Sequence, residues 1–226
     1  MGHHWIVEIN GLTFNLNTLI AMWSAMLFLL IVAFIGTRKI SIFPTKLQLI
    51  FEKLLTYFDN LTTSMITHDG RKHFPLIASL FLFIVTANLM GQLPLKIFEL
   101  KQGEIASPTN DINLTAGLAI VVLVYYVAAG VIKKKHKFLL HEISFVGIIS
   151  MLVEILELVT RPLTLALRLF GNILAGEILI TALLGLCAWG LPLPIMFFEI
   201  LVACVQALVF TMLTTVYIAT AVNENH

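Results

Sequence analysis

One long apolar stretch of the sequence, from Met151 to Thr181, contains charged residues at spacings that suggest ion chemistry inside a membrane. The charged residues are Glu154, Glu157, Arg161, Arg168 and Glu177. At the centre of a membrane helix each such charge costs about 2.5–3.5 kcal/mol on insertion scales, whereas a Leu or Ile favours insertion by only about 0.3–0.6 kcal/mol. These side chains therefore cannot all face lipid.

The spacing places most of these residues on one face of a helix. Because an α-helix advances about 100° per residue, the face around Arg168 also holds Thr164, Asn172 and the three charged residues that precede Arg168. Glu177, nine residues beyond Arg168, falls on nearly the opposite face. The predicted helix thus has one polar stripe and one separate acid.

Two explanations of the polar stripe are open. Glu154 and Glu157 lie seven and four residues before Arg161, so these three side chains could form structural ion pairs between packed helices. That explanation does not cover Arg168, which has no acid within four positions on either side. Its guanidinium stays charged at physiological pH, so its partner must come from elsewhere or be a mobile ion. An ionisable residue of this kind within a membrane indicates a functional site.

The segment RPLTLALRLFGNILAGE, from Arg161 to Glu177, closely resembles the signature of subunit a of the F-type rotary ATP synthases, in its bacterial type. In that family subunit a is the membrane stator beside a ring of c subunits. Similarity to the same family extends to NLMGQLP (88–94), PTNDINLT (108–115) and QALVFTMLTTVYIA (206–219). The resemblance therefore reaches from residue 88 to near the C-terminus.

The composition is that of a polytopic membrane protein, with 59% hydrophobic and 12% charged residues in a chain of 226. A formal net charge of +1 argues against nucleic acid as a partner. Cys187 and Cys204 lie in apolar segments without metal-ligand spacing, and His3 and His4 have no further ligands beside them. The sequence also lacks a Gly-rich phosphate loop. We therefore expect no metal ion, no cofactor and no nucleotide site in this chain.

Hydropathy and periodicity predict an all-α polytopic membrane protein, with residues 1–226 forming a single membrane domain. Three roughly upright spans are expected at residues 18–36, 74–93 and 114–132. Residues 45–66 form an amphipathic pattern that is too polar to span. This helix should lie in the membrane interface, and the alternative is that it packs on a soluble partner.

The last two predicted helices, residues 143–184 and 194–222, are unusually long. They would measure about 63 and 44 Å, whereas the hydrocarbon core is roughly 30 Å thick. Tilt absorbs only a few surplus residues, so we expect a steeply tilted hairpin with a bend near Pro162. The broad flank of such a hairpin suits a surface beside a rotating ring, which is the geometry that the resemblance implies.

Charge sets the predicted orientation. Of the 14 Lys and Arg residues, six lie between Arg38 and Lys72 and four between Lys133 and Lys137. The positive-inside rule places these segments in the cytoplasm, with the N-terminus outside and the C-terminus cytoplasmic. No positively charged segment precedes an apolar core at the N-terminus, so we expect no cleaved signal peptide. Together with the resemblance, this indicates the plasma (inner) membrane of a bacterium.

The resemblance implies that Arg168 is the essential arginine that couples ion movement to rotation of the c ring and to ATP synthesis. A ring carboxyl is protonated while it faces lipid and releases its proton near the arginine, where the charged form is favoured. The transported ion is H⁺ or Na⁺. The other implied partners are the b subunits of the peripheral stalk and the lipid bilayer. The chain itself would move ions and would not bind nucleotide.

Two ion half-channels follow from the same resemblance. Our candidates for the outer half-channel are Glu177, Glu199, Asn172, Gln206, Asp111 and Asn113. Our candidates for the cytoplasmic half-channel are Glu154 and Glu157, and we expect Glu157 to pair with Arg161. Glu199 and Gln206 are seven residues apart on one helix face, which we expect to meet the face that carries Glu177. At the position of Glu199 the family often has His.

The alternative function is that of a secondary transporter with an anion site at Arg168. Such transporters usually contain internal repeats with broken helices in matching halves, and we find no repeat in this sequence. A membrane scaffold without transport would leave the intramembrane acids without a role. Purification of the chain together with a c ring would discriminate among these functions.

Overall fold

The computed structural model describes residues 6–9, 12–38, 46–67, 69–92, 107–134, 145–186 and 192–223. Several residues named in the predictions above lie outside these described ranges. They are His3, His4, Lys137 and Cys187.

The described elements are two short strands, six α-helices and one 3₁₀ turn. The strands are β1 (Ile6–Ile9) and β2 (Leu12–Asn15). The helices are α1 (Leu16–Thr37), α2 (Lys46–Met65), α3 (Gly70–Gln92), α4 (Ile112–Lys134), α5 (Phe145–Leu186) and α6 (Pro192–Val222). The 3₁₀ turn, Pro108–Asn110, directly precedes α4.

Five of the helices, α1, α3, α4, α5 and α6, are long and apolar enough to cross a membrane. The predicted class, an all-α polytopic membrane protein, is therefore confirmed. The remaining helix, α2, coincides closely with the amphipathic segment predicted at 45–66 and is not among the five.

A short β-hairpin before α1 was not predicted. The strands β1 and β2 pair antiparallel, with Ile6 opposite Asn15 and Ile9 opposite Leu12. Each strand has only four residues. So short a run gives little apolar and polar alternation, and the segment could not be told from an irregular amphipathic terminus.

The helix ends lie close to the predicted ones, and the largest difference is at the start of α3. This helix begins at Gly70, four residues before the predicted span at 74–93. The prediction used Arg71 and Lys72 as the edge of the apolar stretch, but a helical backbone can continue beyond the hydrocarbon into polar surroundings. Pro75 lies inside α3 and removes one backbone hydrogen bond near the start of the helix.

The core lies where α3 and α6 pack along one another and α4 packs along α5, with α2 against α3. The large fully buried side chains include Phe58, Ile77, Ile84, Val122, Leu165, Leu169, Phe210 and Ile218. Helix α1 lies at the edge, where its buried residues are Ala21 and Ala25. Small side chains allow a membrane helix to approach its neighbours closely.

Helix α5 has 42 residues and continues through Pro162. At 1.5 Å per residue it is about 63 Å long, twice the thickness of the hydrocarbon core. Exposed apolar side chains follow one face of it at intervals of three and four residues. They are Leu152, Leu156, Val159, Leu163 and Leu167. Helix α6 also exposes large apolar side chains, including Phe197, Phe198 and Leu201. Such a surface requires lipid or another membrane subunit against it.

Candidate functional site

Arg168 lies near the middle of α5 and its side chain is exposed. Leu165 and Leu169, on the neighbouring positions of the helix, are buried in the core and hold this part of α5 in place. Within the described part of the chain, Arg168 forms no ion pair and no hydrogen bond. A guanidinium on an apolar helix requires an anionic partner, which here must come from outside the described residues.

One turn after Arg168, a pair of amides links α5 to α6. The Asn172 Nδ2 atom donates a hydrogen bond of 2.7 Å to the Gln206 Oε1 atom. Gln206 is buried, and its Nε2 atom has no hydrogen-bond partner within the described residues. The amide N–H₂ group of Gln206 therefore adds an available donor to the interior of the seam between α5 and α6.

Glu199 is buried in the same seam, with 6% of its surface exposed. It lies against Gly176 of α5, because a Cβ atom built on Gly176 would clash with the Glu199 Oε1 atom. The missing side chain at Gly176 thus makes room for the carboxyl group. This contact places the carboxyl group of Glu199 beside the residue that precedes Glu177 in α5.

Glu177 is partly buried and accepts a hydrogen bond from Asn110. The donor is the Asn110 Nδ2 atom in the 3₁₀ turn, and the acceptor is the Glu177 Oε2 atom. Asn110 was not among the predicted site residues, although it lies within the PTNDINLT segment. The available signal was that Asn favours turns, and this signal does not reveal which distant side chain the amide contacts.

A buried polar network fixes the 3₁₀ turn against α3 and joins α3 to α6. Thr109 Oγ1 donates to the Asn88 Oδ1 atom at 2.8 Å, and Ser107 Oγ lies 2.7 Å from Thr109 Oγ1. Ser107 Oγ also donates to the carbonyl oxygen of Ala87, and Asn88 Nδ2 donates to that of Ala203 on α6. Asn88 and Thr109 have no exposed surface. The network therefore satisfies polar groups that would be costly to bury alone.

Asp111 and Asn113, predicted near the outer mouth, lie at the start of α4. Asp111 Oδ2 accepts a hydrogen bond of 2.9 Å from Thr18 Oγ1 of α1. Its other oxygen, Oδ1, accepts from the backbone N–H of Asn113 at 2.9 Å, which is the geometry of a helix cap. Asn113 itself is exposed. Asp111 thus joins α1 to α4 in addition to any contact with water or ions.

Toward the other end of α5, the predicted pairing of Glu157 with Arg161 is confirmed. The Arg161 Nη2 atom donates to Glu157 Oε2 on the same helix. The Nη1 atom donates to Thr220 Oγ1 of α6 at 3.2 Å, and the guanidinium carbon lies 5.1 Å from the centroid of the Tyr217 ring. Arg161 therefore connects α5 to α6. The backbone of Glu154 is helical, but its side chain lies outside the described residues.

An apolar cavity of about 860 Å³ lies between α1, α2, α3 and α4, away from these polar groups. Its lining includes Met26, Leu30, Phe51 and Phe83 and does not include Arg168. A carrier for a small anion would require a cavity that opens onto Arg168, so this cavity does not favour that alternative.

Two comparisons with known proteins agree with each other. The profile of the family described as "ATP synthase A chain" matches residues 19–219 of this chain. A relative from Gloeobacter violaceus, described as "ATP synthase subunit a", is 40% identical over 230 residues. This similarity covers 100% of the present chain and 91% of the relative.

Proposed function

Because the chain belongs to the ATP synthase A chain family, and therefore has a membrane-sector role in ATP synthesis, we propose that it is the stator subunit that couples ion flow to rotation. In this proposal it forms two ion half-channels beside a ring of c subunits, and Arg168 separates them. Its partners are the c ring, the b subunits of the peripheral stalk and the lipid bilayer.

The observation that carries this proposal is the exposed guanidinium of Arg168, which forms no ion pair within the described residues. A carboxyl group on a passing ring subunit would supply the missing anion. Beside the guanidinium the charged carboxylate is favoured, so a proton brought by the ring is released there. The fixed positive charge also opposes direct passage of cations from one half-channel to the other.

The outer half-channel would use the polar groups beyond Arg168. Glu177 lies nine residues, or about 13.5 Å along the helix axis, past the arginine. Glu199 lies beside Gly176, and the amides of Asn172 and Gln206 bridge the seam toward Arg168. Together they form a line of polar side chains in apolar surroundings, which is the usual environment of an ion path through a membrane protein. Asp111 and Asn113 would lie near its outer mouth.

The cytoplasmic half-channel would lie on the other side of Arg168 and include Glu154 and Glu157. Glu157 precedes the arginine by eleven residues, which is about 16.5 Å along the helix. Its ion pair with Arg161 favours a lining role over a role as ion carrier. Glu154 is then the stronger candidate for exchanging ions with the cytoplasm.

The same proposal includes the orientation predicted from the basic residues, with the N-terminus outside and the C-terminus in the cytoplasm of a bacterium. The transported ion is H⁺ or Na⁺. A membrane potential of 100 mV supplies about 2.3 kcal/mol per elementary charge. Several ions must therefore cross for each ATP that is made.

The test is ATP-driven ion pumping in inverted membrane vesicles that contain the assembled complex with Arg168→Ala. We expect pumping to disappear while ATP hydrolysis continues, because the variant no longer couples the ring to the ion path. Arg71→Ala is a matched control, since Arg71 is highly exposed and forms only a long ion pair of 3.7 Å with Asp59. Normal pumping by Arg168→Ala would show that the proposal is wrong. Pumping with and without Na⁺ identifies the ion.

A further inference from the structure

The hydrogen bond between Asn110 and Glu177 joins two parts of the chain that are 67 residues apart. We propose that Asn110 is a positioning residue for Glu177, and that it sets the range of outside pH over which the complex takes up protons. This inference rests on the proposed function, because it assigns a role to a residue that acts through the outer half-channel.

The chemistry of the two groups fixes which end of the amide faces the acid. An ionised carboxylate accepts hydrogen bonds and cannot donate, whereas an Asn side chain has one donor end and one acceptor end. The N–H₂ group must therefore face Glu177, as it does in the structure. A donor of this kind stabilises the charged form of a carboxyl group relative to its neutral form. Asn110 thus makes it easier for Glu177 to give up its proton.

Asn110 is held in place by the buried residues that precede it in the turn. Ser107, Pro108 and Thr109, which precede it in the turn, are all buried. Thr109 is bonded to Asn88 of α3, and Asn88 in turn is bonded to the backbone of α6. A side chain held by such a network keeps its partner in one geometry, which is how supporting residues orient functional groups elsewhere in proteins.

The charged groups around Glu177 explain why a donor is needed there. Within the described residues, Glu199 faces this region from α6, and Asp111 follows Asn110 in the chain. Both are acids, and nearby negative charge makes a carboxyl group hold its proton more tightly. Arg168 lies about two and a half turns back along α5, too far for direct contact with Glu177. Asn110 is therefore a hydrogen-bond donor that favours the charged form of Glu177 in this acidic region.

The experiment measures ATP synthesis by inverted vesicles at a fixed membrane potential while the pH of the lumen, which corresponds to the outside, is varied. In Asn110→Leu, Glu177 should bind its proton more tightly. The midpoint of the rate profile should then move to higher lumenal pH by about one unit, given the strength of a hydrogen bond to a charged group. Asn110→Gln, which keeps the amide, should shift the midpoint less, and Asn110→Asp, which adds a third acid, should shift it further.

If Asn110 had a merely structural role, its variants would lower the rate of ATP synthesis, but their midpoints would not shift in this order. Asn60→Leu is the matched control, because Asn60 is exposed on α2, and it should leave the midpoint unchanged. If Asn110→Leu does not assemble, Asn110→Ala provides the same comparison. Equal midpoints in wild type, the apolar variant and Asn110→Asp would overturn the inference.

The same vesicles separate this inference from the proposed function. If Arg168→Ala abolishes synthesis while the Asn110 variants keep the wild-type midpoint, the role of Asn110 is wrong and the proposed function stands. If Arg168→Ala leaves synthesis intact, the proposed function is wrong, and this inference fails with it.

Discussion

Gly176 and Glu199 illustrate how single residues shape the seam between α5 and α6. A glycine is required at 176 because the carboxyl group of Glu199 occupies the space where a Cβ atom would be. The glycine lies in an ordinary helix, so its function here is to permit close approach and not to provide an unusual backbone angle. Removing the space at 176 should therefore displace the acid.

Gly176→Ala should reduce ATP-driven pumping several-fold and destabilise the protein by about 1–3 kcal/mol, which is typical of overpacking at a tight contact. Pumping in vesicles and thermal unfolding in detergent measure the two effects. Gly185→Ala on the same helix is the control, because nothing lies within 4 Å of a Cβ atom built there. Equal behaviour of the two variants would contradict the described contact.

Only part of the site was predictable at this scale. Arg168, Glu177 and Glu199 stand out because charge is costly in an apolar helix, and that signal is contained in the sequence itself. Asn110 and Asn88 are uncharged and lie near turns or helix ends, where such residues are common. Their importance depends on contacts over 67 and 115 residues of chain separation, and one sequence alone does not determine such contacts.

At the scale of elements, Arg161 connects the two long helices near one end of their seam. It is bonded to Glu157 of α5 and Thr220 of α6, and it lies over the ring of Tyr217. The local pair with Glu157 could be predicted from its spacing of four residues. The contacts to α6 could not, because they depend on how the two helices cross. The helix ranges could be predicted from hydropathy, because the signal of a membrane helix is clear in a long apolar segment.

A double-mutant cycle should show that Glu157 and Arg161 interact favourably. We expect the changes in unfolding free energy caused by Glu157→Gln and Arg161→Leu to deviate from additivity by about 0.5–1 kcal/mol. The deviation is small because the pair is only partly shielded from solvent. Unfolding in detergent measures this energy. The exposed pair of Lys72 and Asp69 is the control, for which additivity is expected. Glu157→Gln should also retain pumping, and loss of pumping would identify Glu157 as an ion carrier.

At the scale of the whole molecule, the end of α6 is tied to the connection between α2 and α3. The Asn223 Oδ1 atom accepts hydrogen bonds from the backbone N–H and the hydroxyl of Thr67, and Asn223 Nδ2 donates to the carbonyl oxygen of Met65. Thr67 and Asn223 are 156 residues apart. This contact fixes α6 at one end, whereas the contact of Ala203 with Asn88 fixes it farther along.

Asn223→Ala should lower the apparent melting temperature by a few degrees, because it removes three hydrogen bonds that are together worth about 1–2 kcal/mol. Thermal unfolding of the detergent-solubilised protein measures the change. Asn60→Ala, on the exposed face of α2, should have little effect. A melting temperature equal to that of wild type would mean that the tie does not contribute to stability.

The bond from Asn88 to the carbonyl oxygen of Ala203 also has a consequence for biogenesis. The ribosome makes α6 after the other five helices, so Asn88, the 3₁₀ turn and Glu177 are all synthesised before the helix that completes their surroundings. A nascent chain that has not yet inserted α6 lacks Glu199 and Gln206, and with them half of the polar seam. The proposed ion path is therefore incomplete while translation is under way, and an unfinished subunit would not dissipate the membrane potential through it.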